Sequence, residues 1–298
     1  MTKPSNQKVK KDDSLPNVQD IAVARWSNKQ KLFLWLPVTV LLSVILITAL
    51  LLPLNQLDYV NLQKSEFLSI NHFLMSDSNF WLNITQLGDA MILFPLLSLL
   101  IPRYPQIWAA LFGAVPLSTL LSIGGKNLFD VPRPAAVLDH HLFNIMGDTL
   151  TAHTSLPSGH TITVFTAATV ILAVLFPLPH KKRHYFWLAV GLFLAFFVAL
   201  SRVAVGAHWP LDVALGSVLG YLGGISGVIL TQRYQGWWRW MASPQYQSLV
   251  SLQIFVFVMA IVYHFSDPDY NGLIILWLSA AIGALMSLYL FLKPNKND

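Results

Sequence analysis

The sequence predicts an all-α, polytopic helical membrane protein, and two observations carry that prediction. Only 11% of the 298 residues are charged and 55% are hydrophobic, whereas soluble domains carry about 25% charged residues. The apolar residues also gather into repeated runs of about twenty, the length a helix needs to cross the hydrocarbon layer of a bilayer. Backbone groups find no water there, so each run must close its own hydrogen bonds as a helix.

Eight spans are expected, at 32–53, 84–102, 107–125, 160–179, 185–202, 211–230, 248–265 and 272–292. The first follows a polar, lysine-rich tail (1–31) and is too long for the apolar part of a cleavable signal. Spans one, three and four contain no charged residue, and the second starts beside Asp89. Asp89 reads equally as a helix cap or as a contact to a nearby cation or substrate. Between spans one and two, Phe67, Ile70, Phe73 and Leu74 recur at helical spacing, with Phe80 and Trp81 beyond. Segment 60–83 therefore reads as an amphipathic helix on the membrane surface or as packing over the bundle. Span six carries Gly216, Gly220 and Gly224, a small-residue stripe suited to close helix packing, within the core or between protomers. There is no cysteine, which excludes disulfides and thiolate chemistry.

Positive residues orient the spans, because they are retained on the cytoplasmic side. The tail holds Lys3, Lys8, Lys10, Lys11, Arg25, Lys29 and Lys31. Alternating from there, the same side receives Arg103, Lys181-Lys182-Arg183, Arg233, Arg239, Lys293 and Lys296. Opposite loops hold Asp58, Glu66, Asp77, Asp267 and Asp269 with Lys64 alone. Both termini are thus expected in the cytoplasm.

Three cations break the pattern: Lys126, Arg133 and Arg202 fall on the outer side. Each belongs to a short motif at the outer end of a span. The motifs read Lys126-x6-Arg133-Pro134, Pro157-Ser158-Gly159-His160 and Ser201-Arg202-x5-His208-x3-Asp212. One helix in, a tight loop and one helix out separate His160 from Ser201, so a helical hairpin returns these groups to one face. Three cations, two histidines and one carboxylate form a set suited to a phosphate. Ser158 and Gly159 open span four, where helix N-terminal N–H groups bind anions, and Ser158 also suits a cap.

The three motifs, complete and in order, resemble the signature of type 2 phosphatidic acid phosphatases, the PAP2 superfamily. The likeness covers about 84–230, and with span one it implies a six-helix core at 32–230. Residues 231–298, a cytoplasmic linker with two further spans, exceed that pattern. The resemblance implies a metal-independent lipid phosphatase without a cofactor. In it His208 is the nucleophile that becomes a phosphohistidine, Asp212 orients its imidazole, and His160 is the acid and then the base. Lys126, Arg133, Ser158, Gly159 and Arg202 bind the substrate phosphate. The substrate implied is a bacterial membrane lipid phosphate such as undecaprenyl pyrophosphate, phosphatidylglycerol phosphate, phosphatidate or lipid A. The expected location is the cytoplasmic membrane, with the site on its outer face, the bilayer as partner and no nucleic acid.

Two alternatives accompany this expectation: a phosphotransferase that passes the phosphoryl group to a second lipid, and a lipid transporter or lipid-binding pseudoenzyme. Loop 135–156 holds Asp139, His140, His141, Asp148 and His153. These form no familiar metal-ligand spacing, and the loop reads as a rim over the site. The sequence leaves the oligomeric state open.

Overall fold

The structure, a computed structural model, describes residues 55–75, 78–176 and 181–293, and these form nine helices of eight residues or more. The expected tail and first span lie outside the described residues. Helix α1 (Gln56–Phe73) starts where the Asn55 side chain accepts the N–H of Asp58 at 2.9 Å. Its buried residues Tyr59, Gln63, Phe67 and Asn71 recur every four positions, so one stripe faces the bundle. Phe73, expected with Phe67 on the apolar face, is exposed instead.

The second span was expected to be continuous, and it is broken. Helix α2 (Ser78–Gln86) and the stretch that opens with α3 (Ala90–Leu97) meet at 69°. Gly88 weakens the helix at the joint. Asp89 then accepts the N–H of Met91 at 2.7 Å and caps a new start.

Helix α4 (Pro105–Phe129) opens on proline at its first position, where a missing N–H costs nothing. It closes on Asp130 in the left-handed conformation, with φ of 46°. Helices α5 (Gly159–Leu175), α6 (Lys182–Ala204), α7 (Pro210–Arg233), α8 (Gln247–His264) and α9 (Ile274–Leu292) follow. Among the described residues five helical stretches are long and apolar enough to cross a membrane, and the bent pair α2–α3 makes a sixth. Helix α5 is a shorter apolar helix of 17 residues. Large apolar side chains such as Phe193, Leu194, Leu285 and Phe291 cover the outside, as a surface facing lipid requires. The protein is an all-α polytopic membrane protein.

Helix α7 is the axis of the bundle, wedged between α5 and α4. The predicted glycine stripe faces α5 within the chain: a Cβ on Gly220 would stand 2.5 Å from the Ile162 carbonyl oxygen. A second stripe, Gly223 and Gly227, meets Ser118 and the Ala110 carbonyl of α4. This close approach fixes the relative height of α4, α5 and α7 at the end where their motif residues sit. At that end Ser158 N–H donates to the Asp212 carbonyl at 3.1 Å, and Gly125 packs against Pro157.

The C-terminal pair α8 and α9 packs against α3. Asn83 in α2 accepts the N–H of Ile275 at 3.0 Å and donates to the Gly272 carbonyl at 3.3 Å. Ser279 donates to the Ile92 carbonyl at 2.5 Å, and Ile92, Ile261 and Leu276 share one apolar cluster. The C-terminal pair therefore holds both halves of the broken span.

Candidate active site

The turn between α6 and α7 builds the centre of the site. Arg202 lies in the last turn of α6, and its carbonyl accepts the N–H groups of Ala207 and His208. Gly206, at φ of 77°, allows the chain to reverse there. Trp209 and Pro210 then start α7, and Asp212 in its first turn reaches back to the Trp209 N–H at 2.9 Å. The same carboxylate oxygen lies 3.2 Å from Nδ1 of His208. His208 and Asp212 are both buried, at 2% and 0% exposure.

The other ring nitrogen of His208, Nε2, lies 3.3 Å from Nη1 of Arg133. Arg133 is anchored by the carbonyls of Ala207 at 3.0 Å and Thr154 at 3.5 Å. Burial first, and then the charges of Arg133, Arg202 and Lys126, hold the His208 imidazole well below its ordinary pKa. The neutral ring is thereby favoured, with Nδ1 turned to the Asp212 carboxylate and Nε2 to the Arg133 guanidinium.

Helix α5 contributes its N-terminus. The Ser158 hydroxyl caps it, lying 3.4 Å from the Thr161 N–H and 2.9 Å from the Thr161 hydroxyl. The Ile162 N–H returns to the Ser158 carbonyl, so Gly159 and His160 carry the first-turn donors that remain. Lys126 Nζ lies 3.7 Å from the position a Cβ would take on Gly159. Arg202 donates through Nη1 to Thr85 Oγ1 at 2.6 Å, while its buried Nε has no partner among the described residues. All eight residues singled out in the sequence thus meet at one end of the bundle.

A sequence model of the PAP2 superfamily matches residues 106–240, a stretch that contains all eight. The matched stretch belongs to the PAP2 superfamily. It is 29% identical over 148 residues to the bacitracin transport permease protein BcrC of Bacillus licheniformis, covering 48% of this chain and 57% of that one. It is 31% identical over 135 residues to the putative undecaprenyl-diphosphatase YbjG of Escherichia coli (strain K12), covering 42% and 62%. The chain therefore spans less than two thirds of the length of either relative. Among solved structures it is similar to LpxE of Aquifex aeolicus, with 31% identity and a TM-score of 0.47, covering 56% of this chain and 95% of that one.

Around the PAP2 motif residues stand partners that no motif announced. Ser155, in the loop before Pro157, donates to Asp212 at 2.5 Å and lies 3.5 Å from His208 Nδ1. Tyr59 of α1 donates to the other Asp212 oxygen at 2.8 Å. Thr85 of α2 holds Arg202. Each is a lone hydroxyl in an ordinary sequence context; only its placement reveals it. Of the polar residues singled out in loop 135–156, two make local contacts. Asp139 accepts the His141 N–H at 3.0 Å, and His140 Nε2 lies 2.9 Å from the Ala135 carbonyl. Among the described residues no three His, Asp or Glu side chains converge as a metal-ligand set.

Proposed function

We propose that this PAP2 protein is an integral membrane phosphatase that hydrolyses a lipid phosphate or pyrophosphate through a phosphohistidine on His208. The observation that carries the reading is the polarity of the His208 ring, with Asp212 behind Nδ1 and Arg133 beside Nε2. That arrangement is an oriented nucleophile facing an anion site.

The chemistry follows from these positions. Lys126, Arg133 and Arg202 hold the phosphate oxygens, together with the first-turn N–H groups of Gly159 and His160. A buried guanidinium N–H without a partner costs about 1–3 kcal/mol, and a phosphate oxygen on Arg202 Nε removes that deficit. The Nε2 lone pair attacks phosphorus, the bond from phosphorus to the leaving oxygen breaks, and His160 gives that oxygen its proton. Asp212 stabilises the ring while it carries phosphorus. In the second step His160 takes a proton from water, and the water oxygen attacks phosphorus. The P–N bond then breaks to release inorganic phosphate and neutral His208.

The substrate is a bacterial membrane lipid, and the name of the Escherichia coli relative makes undecaprenyl pyrophosphate the first to test. Phosphatidylglycerol phosphate, phosphatidate and lipid A complete the panel. The distribution of loop lysine and arginine supports a site on the outer face of the cytoplasmic membrane, with both termini inside. A six-span core at 32–230, carrying α8 and α9 as an addition, fits the same count.

The test is phosphate release by purified protein in detergent, with EDTA present and His208→Ala alongside. Release from one lipid by wild type, with a phosphorylated His208 trapped on rapid quench, is the expected result. A folded wild type that forms phosphohistidine, releases no inorganic phosphate and loses the phosphoryl group only to an added second lipid would replace the hydrolase with a transferase. Release that His208→Ala leaves intact would overturn the site.

A further inference from the structure

The two oxygens of Asp212 are served unequally. Oδ2 lies within hydrogen-bond distance of Ser155 Oγ at 2.5 Å, Trp209 N at 2.9 Å and His208 Nδ1 at 3.2 Å. Oδ1 is taken by the Tyr59 hydroxyl at 2.8 Å, its one partner among the described residues. Tyr59 is 3% exposed and comes from α1, a helix that lies before the motif-bearing stretch. A carboxylate can exchange its oxygens by turning about its terminal bond, whose rotation is broad and two-fold. A donor fixed on Oδ1 opposes that turn.

Neighbours on the same stripe of α1 fasten the same segment. Gln63 accepts the Leu211 N–H at 2.9 Å, and Asn71 donates to the carbonyls of Val203 and Ala204 at 3.0 Å. The Phe67 ring meets Trp209 edge-on at 5.0 Å. These contacts reach backbone or packing; of the four, Tyr59 alone reaches a side chain of the proposed machinery.

We propose that Tyr59 is a positioning residue for the His208–Asp212 pair, its hydroxyl holding the carboxylate so that Oδ2 stays on His208 Nδ1. The proposal rests on the phosphatase reading above. Burial, and then the charge of Asp212, push the Tyr59 phenol far above its ordinary pKa, so it stays a donor at working pH. The other charged or titratable groups facing the pair are Arg133 after α4, Lys126 on α4, Arg202 on α6 and His160 on α5.

The experiment compares full-length wild type, Tyr59→Phe, Asp212→Asn and the double variant in detergent, on the lipid that wild type hydrolyses. Tyr59→Phe keeps the ring and removes the donor. Its kcat is expected to fall about tenfold with KM held, as for the loss of an orienting partner, and its unfolding temperature to drop modestly because a buried carboxylate oxygen loses its donor. Its acid limb is expected to move to higher pH, because a carboxylate with one donor fewer is more basic and favours the imidazolium. In the Asp212→Asn background the same change should cost nothing further, since no carboxylate is left to hold. Unchanged kcat and pH profile in Tyr59→Phe would overturn the proposal. So would an equal loss in both backgrounds with an unmoved acid limb, which would mark simple packing. Should Tyr59→Phe fail to fold, 3-fluorotyrosine at position 59 supplies a more acidic hydroxyl of nearly the same shape. Its acid limb must move to lower pH, and an unmoved limb sinks the proposal. A wild type inactive on every lipid strikes the phosphatase reading itself, and the inference with it; an active wild type matched by Tyr59→Phe strikes only the role of Tyr59.

Discussion

Gly88 lies directly against the imidazole of His160. A Cβ on residue 88 would stand 2.7 Å from the His160 Cβ and 3.1 Å from its Cδ2. The break in the second span therefore removes a side chain where the proposed proton donor needs room. Gly88→Val should lower kcat by about 100-fold, the scale expected when a reacting group is displaced by about 1 Å. Steady-state phosphate release checks this, and a variant as fast as wild type would show that the His160 ring has slack.

Thr85 is the second contribution of α2, through its 2.6 Å contact with Arg202. Thr85→Val keeps the volume and removes the oxygen. A hydrogen bond to a charged group contributes about 1.5–3 kcal/mol, so kcat/KM should fall by about tenfold or more. Inhibition by inorganic phosphate should weaken with it, and unaltered inhibition would detach Thr85 from anion binding.

The pH profile follows from His208. Its ordinary pKa is 6.5 and the folded value lies well below that. The attacking form is neutral, so kcat/KM should hold as pH falls through 6.5 and decline only at lower pH. Stability has the same sign. Below 6.5 the unfolded chain takes up a proton at position 208 that the folded chain refuses, so this contribution is full above 6.5 and is lost as pH falls further. An acid limb at or above 6.5 would assign the essential base to another group.

Gly227 packs against the Ala110 carbonyl and Ala114 of α4. Gly227→Val should destabilise the fold by about 1–3 kcal/mol, the usual cost of overpacking. Thermal unfolding in detergent measures it. An unshifted midpoint would mean that α4 and α7 separate freely.

The spans were legible because a bilayer imposes length and apolarity on each of them, and helices α4 to α9 appear within a few residues of the predicted edges. The motif residues were legible because cations that break the charge pattern of the loops stand out. The bend at Gly88–Asp89 was not, since an aspartate near a span edge looks the same whether it ends a helix or restarts one. Tyr59, Thr85 and Ser155 were invisible for a different reason. Each acts through a contact across the fold, 153 residues long for Tyr59 and Asp212, and hydropathy and spacing hold no record of such distances. The glycine stripe of α7 was visible, but its target was not: Gly216 and Gly220 could be read from the sequence, while Ser158 and Ile162 across from them could not.

Asn71 gives one amide to three carbonyls, those of Asn144, Val203 and Ala204, and its oxygen accepts the Asn144 N–H at 2.8 Å. That single side chain ties loop 135–156 to the turn bearing His208, from a position 55 residues ahead of the first motif lysine. The signature from Lys126 to Asp212 is thus not a transplantable cassette. Grafted alone onto another bundle, it would bring every reactive group and leave behind the scaffolding that aims them.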